Sequence, residues 1–207
     1  MADLIAISHG APASAVLLAV IMVASAIGLA AAPSWLDRSV FRPYWFLRRG
    51  ELWTPVTSAF MHADVAHLLF NAFTFWAFAF DLERAIGSGR FLALYAIGLV
   101  ASDVGTWIRH RHDETYATLG ASGAILAVLF ASILYFPTAS IYILPLPVPI
   151  PAPLFALAYL AYTWFASRRG RGRVNHDAHL SGAVAGVAFV VLTDFDVLQR
   201  ALRAFAA

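Results

Sequence analysis

Six apolar runs, at about residues 13–32, 65–80, 91–108, 122–136, 154–166 and 177–192, alternate with short arginine-bearing segments. Nothing else in the chain constrains its fold as strongly. In hydrocarbon every backbone N–H and C=O must find a partner within the protein, so such runs are expected to be helices of a membrane bundle. The first run is long enough to cross a hydrocarbon core of about 30 Å at about 1.5 Å per residue. Ala30-Ala31-Ala32 resembles a signal-peptide cleavage site, but no Lys or Arg precedes the run, so a retained helix is expected. Composition agrees, because 61% hydrophobic and 13% charged residues do not suit a soluble domain. A net charge of +2 is too small to argue for a nucleic-acid partner. The chain has no cysteine, which excludes disulfides and thiolate metal sites. No repeat or second domain is evident, so residues 1–207 are expected to form a single membrane domain.

The segments between the runs differ in character. Pro33 to Met61 mixes Arg38, Arg42, Arg48 and Arg49 with Trp35, Phe41, Tyr44, Trp45, Phe46 and Trp53. Such residues favour the headgroup layer, so the stretch is either a structured interfacial element or an ordinary loop. Pro137 to Pro153 holds six prolines and is expected to be an extended connection. Arg168, Arg169, Arg171 and Arg173 read as a solvated loop, and the tail from Phe195 as a weakly amphipathic end.

Polar residues inside the runs carry the chemistry. Ser122 stands in Gly120-Ala121-Ser122-Gly123 at the start of the fourth run. There the free N–H groups of a first helical turn and the helix dipole would surround its hydroxyl. Small residues also serve helix packing, so this string alone decides little. His67 and Asn71 are four apart and share a face of the second run, facing either a wet cavity or a neighbouring helix as hydrogen-bonding glue. His179, Gly182 and Gly186 share a face of the sixth run, where the glycines allow close approach of another helix. Asp103 is read as structural. Asp177, two residues before His179, points to a different face, so no acid is expected behind the imidazole.

Together these groups supply a nucleophile, Ser122, a base, His179, and oxyanion donors from the Ser122 N–H, His67 and Asn71. Rival intramembrane chemistries lack their residues. There is no His-Glu-x-x-His helix for zinc, no pair of deep aspartates, and no matched broken half-repeats of a transporter.

The sequence resembles the rhomboid family of intramembrane serine proteases. His62-x4-His67-x3-Asn71, Gly120-Ala121-Ser122-Gly123 and Ala178-His179-x-x-Gly182-x3-Gly186 are similar to three motifs of that family, in order. Glu83 with Gly87-Ser88-Gly89-Arg90, and Trp53 with Thr57, resemble two further ones. The resemblance implies an all-α, six-helix membrane bundle with Ser122 as nucleophile, His179 as base, His67 and Asn71 as oxyanion donors, and His62 near a water-filled mouth. It implies no metal or cofactor, single-span membrane proteins as substrates in the lipid bilayer, and a bacterial inner membrane with the site facing outward. Arginine counting argues for the opposite orientation, since ten of the fourteen arginines fall in the loops on the Ser122 side. A non-catalytic relative that binds or escorts membrane clients is the alternative. Two departures stand out: Thr54 follows Trp53 where the family usually has arginine, and Leu126 stands where an aromatic often packs on the catalytic histidine. Orientation of the imidazole is therefore expected to rest on the glycine-lined helix contact.

Overall fold

The computed structural model describes residues 9–143, 146–169 and 174–206. Arg171 and Arg173, and Pro145 of the proline-rich stretch, lie outside the described residues. In chain order the helices are α1 (Pro12–Ala30), α2 (Pro33–Ser39), α3 (Trp45–Arg48), α4 (Thr54–Ser58), α5 (Val65–Ile86), α6 (Ser88–His110) and α7 (Ser122–Tyr135). A hairpin of β1 (Ser140–Ile143) and β2 (Leu146–Pro151) comes next. It leads into α8 (Ala152–Arg169), α9 (His176–Thr193) and α10 (Phe195–Ala206). Among the described residues, α1, α5, α6 and α9 are long and apolar enough to cross a membrane, and α7 is a shorter apolar helix.

The bundle is built around α7. Every residue from Gly123 to Leu134 is buried, as expected for a helix that is apolar all round. Small residues set how closely its neighbours approach. A Cβ on Gly98 of α6 would collide with Ala127, and Cβ atoms on Gly182 and Gly186 of α9 would collide with the backbones of Gly123 and Ala127. Close helix packing of this kind replaces the hydrophobic drive that lipid cannot supply.

Three expectations are corrected. The second run does not stop at Phe80, because α5 continues through the charged residues to Ile86. Glu83 makes this possible: it is fully buried and accepts the N–H groups of Ala13 (2.9 Å) and Ser14 (2.6 Å) and the hydroxyl of Ser88 (2.6 Å). It thereby caps α1, whose own N-cap residue, Ala11, offers no side-chain acceptor. Gly87, at φ 79°, then turns the chain directly into α6.

The proline-rich stretch is also more ordered than an extended connection. Ser140 pairs with Pro151, Ile141 with Ile150 and Tyr142 with Pro149 in an antiparallel ladder. Ala152 donates to the carbonyl of Ala139 at 3.1 Å, so the even-numbered residues of this strand face β1. Pro149 and Pro151 occupy the outward row, where a missing N–H costs no ladder bond. Ile141 is buried in a cluster with Leu126, Leu129, Phe130 and Ile133.

Finally, the tail is sharply sided. In α10 Val197 and Ala201 are buried while Arg200 and Arg203 are exposed. Tyr135 at the end of α7 donates to Asp194, just before α10, at 3.0 Å.

Candidate active site

Pro33 to Met61 is structured. It forms the three short helices α2 to α4, and Phe41 bridges to Thr118 through paired backbone bonds of 2.9 and 3.0 Å. That bridge holds the segment leading into Ser122. The Gly120 N–H donates to the Ser58 carbonyl at 2.9 Å, and Gly120 adopts φ 124°. A side chain there would be strained, and its Cβ would press on the His67 ring, so the glycine lets the chain pass beneath that imidazole.

Ser122 opens α7, ahead of the backbone bond from Ile125 to Ala121, so its N–H lies among the free donors of the first turn. His179 reaches it from α9. The start of that helix is fixed by Asn175, whose side chain accepts the Ala178 N–H at 3.0 Å and donates to Thr106 (2.9 Å) and Thr118 (3.3 Å). The Nε2 of His179 lies 2.8 Å from Ser122 Oγ. On the other side of the ring, Nδ1 lies 3.0 Å from the hydroxyl of Tyr159 on α8. Asp177 turns away and meets His110 at 3.0 Å, so among the described residues no carboxylate is bonded to His179.

A cleft of about 1720 Å³ is lined by His67, Asn71, Ser122, Leu126, Tyr159 and His179, among others. Asn71 donates one amide proton to the His67 carbonyl at 3.0 Å, which leaves its second proton available. Asp64 caps α5 by accepting the His67 N–H at 2.8 Å and fixes the turn that carries the ring.

His62 is placed differently from the expectation. It is fully buried, does not line the cleft, and packs edge-on against His67 with ring centroids 4.9 Å apart. Its Nδ1 lies 2.8 Å from Ser25 Oγ of α1, and that hydroxyl donates to the Phe60 carbonyl at 2.9 Å. The serine therefore accepts the Nδ1–H. Burial pushes the His62 imidazole down to about 4, with proximity to His67 adding to the effect, so the ring is neutral.

Sequence reasoning missed Ser25, Asn175 and Tyr159. Asn175, directly before an apolar run, carries an N-cap signature that was there to be read. Tyr159 carries no local signal of its own. Its partner is distant in sequence, and only the missing aromatic at Leu126 hinted that another ring would be needed.

This constellation can be set beside known proteins. The sequence matches the family model of the Rhomboid domain over residues 49–193. It is 41% identical over 79 residues to the putative rhomboid protease YdcA of Bacillus subtilis, covering 38% of this chain and 39% of that protein. It is 34% identical over 85 residues to the rhomboid protease GluP of the same organism, covering 41% and 16%. To the mitochondrial RHOMBOID-like protein 12 of Arabidopsis thaliana it is 30% identical over 158 residues, covering 69% and 47%. The chain thus spans less than half the length of each of these curated relatives. The matched segment takes in α5 to α9 and with them Ser122, His179, His67 and Asn71. With its apolar helices packed around α7, this chain is an all-α, multi-pass membrane protein that belongs to the rhomboid family.

Proposed function

We propose that the chain is an intramembrane serine protease that cleaves single-span membrane proteins with a Ser122–His179 dyad. The observation that carries this reading is the 2.8 Å approach of His179 Nε2 to Ser122 Oγ inside a cleft that His67 and Asn71 also line. Neutral His179 takes the hydroxyl proton on Nε2 as Oγ bonds to the scissile carbonyl carbon. The developing oxyanion is met by the Ser122 N–H, the free amide proton of Asn71 and the His67 ring. The imidazolium then returns its proton to the departing amine as the C–N bond breaks, leaving an acyl-serine. Water, deprotonated by the same imidazole, hydrolyses that ester and restores both residues. Every proton is carried by side chains of the chain, so the chemistry requires no metal or cofactor.

The spans of this reading are α1, α5, α6, α7, α8 and α9, folded as a single membrane domain. The cleft lies between α5 and α8, where an unwinding substrate helix meets Ser122 near one membrane face. We place the protein in a bacterial inner membrane with that face outward. Arginine counting argues against this orientation, but several site-side arginines are held at aromatic rings. Arg48 lies over Tyr44 and Arg49 over Trp45 (both 3.9 Å to the ring centroid), Arg168 over Trp164 (4.3 Å) and Arg111 over Trp107 (5.3 Å). Such pairs suit headgroup anchors on either leaflet.

A fluorophosphonate probe on the purified protein tests the proposal. Labelling of the wild type that is lost in Ser122→Ala is the expected result. An unlabelled, folded wild type favours the non-catalytic reading.

A further inference from the structure

Tyr159 has no part in the dyad, yet it is the side chain that holds the far nitrogen of His179. Its hydroxyl lies 3.0 Å from Nδ1, and its ring lies 6.5 Å from the imidazole at an interplanar angle of 26°. Phe155, stacked at 5.6 Å, and Phe130, tilted at 6.0 Å, fix the tyrosine ring in turn. Leu126 belongs to the same apolar cluster. The groups that could compete for Nδ1 are engaged or distant. Asp177 is bound to His110, and the His176 ring is 6.2 Å away and packs on Tyr162. His67 faces the cleft from α5.

The direction of this bond decides whether the site works. For Ser122 to donate to Nε2, that nitrogen must be bare, so the neutral imidazole carries its proton on Nδ1. A tyrosine that donated to Nδ1 would select the opposite tautomer and block the base. We propose that Tyr159 is the positioning residue of this enzyme: its phenolic oxygen accepts the Nδ1–H of His179, fixes the productive tautomer and supports the imidazolium formed on attack. Its ring comes from α8 to do what Leu126 cannot. The inference rests on the dyad reading and adds a residue to it.

The test uses Tyr159→Phe, which keeps the ring and removes only the acceptor, with Tyr159→Leu as its companion. Turnover of a transmembrane substrate is measured against pH in proteoliposomes, with fluorophosphonate labelling and thermal unfolding alongside. A hydrogen bond to a charged group is worth roughly ten- to a hundredfold, so Tyr159→Phe should lose about tenfold or more in kcat with KM within about twofold. The acid limb of its pH profile should move to lower pH, because the imidazolium has lost an acceptor. Tyr159→Leu should lose more, since the ring goes as well. A Tyr159→Phe variant with wild-type kcat and pH profile overturns the proposal and leaves the dyad standing. Reduced turnover with an unmoved acid limb and a lower unfolding midpoint also overturns it, because Tyr159 then only packs. A wild type that the probe does not label, or a Ser122→Ala variant that still turns over, overturns the dyad and this inference with it.

Discussion

Gly182 of α9 lies against the backbone of Gly123, the residue after Ser122, so closely that a Cβ at 182 would overlap the Gly123 carbonyl. Gly182 follows His179 by one helical turn, so this contact sets the distance between His179 and Ser122. Gly182→Ala is expected to cost about 1–3 kcal/mol of stability through overpacking, and Gly182→Leu to abolish cleavage. Unfolding and turnover measurements check both. Near-normal activity of Gly182→Leu would mean that the two helices do not need this approach.

Glu83 ties the start of α1 to the end of α5 through two backbone N–H groups, and it holds Ser88 as well. Glu83→Ala leaves those buried donors without an acceptor and should destabilise the protein by about 3 kcal/mol. The site lies at the other end of α5, so the kcat of whatever remains folded should be close to wild type. A large loss of kcat at unchanged stability would contradict the capping role.

An oxyanion donor acts chiefly in the transition state. Asn71→Ala should lower kcat by about 10²–10³ and leave KM nearly unchanged, softened to the extent that His67 and the Ser122 N–H compensate. The amide also bonds the His67 carbonyl within its own helix. Unaltered turnover with a lower unfolding midpoint would show that this helix bond is its whole role.

Orientation is open to direct labelling in a chain without cysteine. His112 is exposed in the loop after α6, on the Ser122 side, and a Cβ at Gly89 on the opposite side meets nothing within 4 Å. With the site facing outward, a membrane-impermeant maleimide on intact cells should label His112→Cys and spare Gly89→Cys. The reverse pattern would mean that the arginine-rich face is cytoplasmic.

What the sequence revealed follows physical range. Ser122, His67, Asn71 and His179, which line one cleft, stand out in the sequence as candidates because polar groups in apolar helices are rare, and because spacings of three and four fix a shared face. The placement of Glu83 inside α5 was not, since a charge within a run reads as its end unless its partners, Ala13 and Ser14, are known. Prolines at 147, 149 and 151 argued correctly against a helix, but the pairing of Ile150 with Ile141 depends on a register that composition does not carry. His62 was expected at the mouth, and its burial depends on Ser25, thirty-seven residues away on α1. Tyr159 was hidden for the same reason: its contact with His179 is tertiary.

The dyad itself is tested most directly by cleavage of a transmembrane substrate with Ser122→Ala, His179→Ala and the double variant, all reconstituted and shown to be folded. Nucleophile and base act as one unit, so each single variant should be inactive and the double no worse than either. Appreciable turnover by folded Ser122→Ala would contradict the mechanism outright.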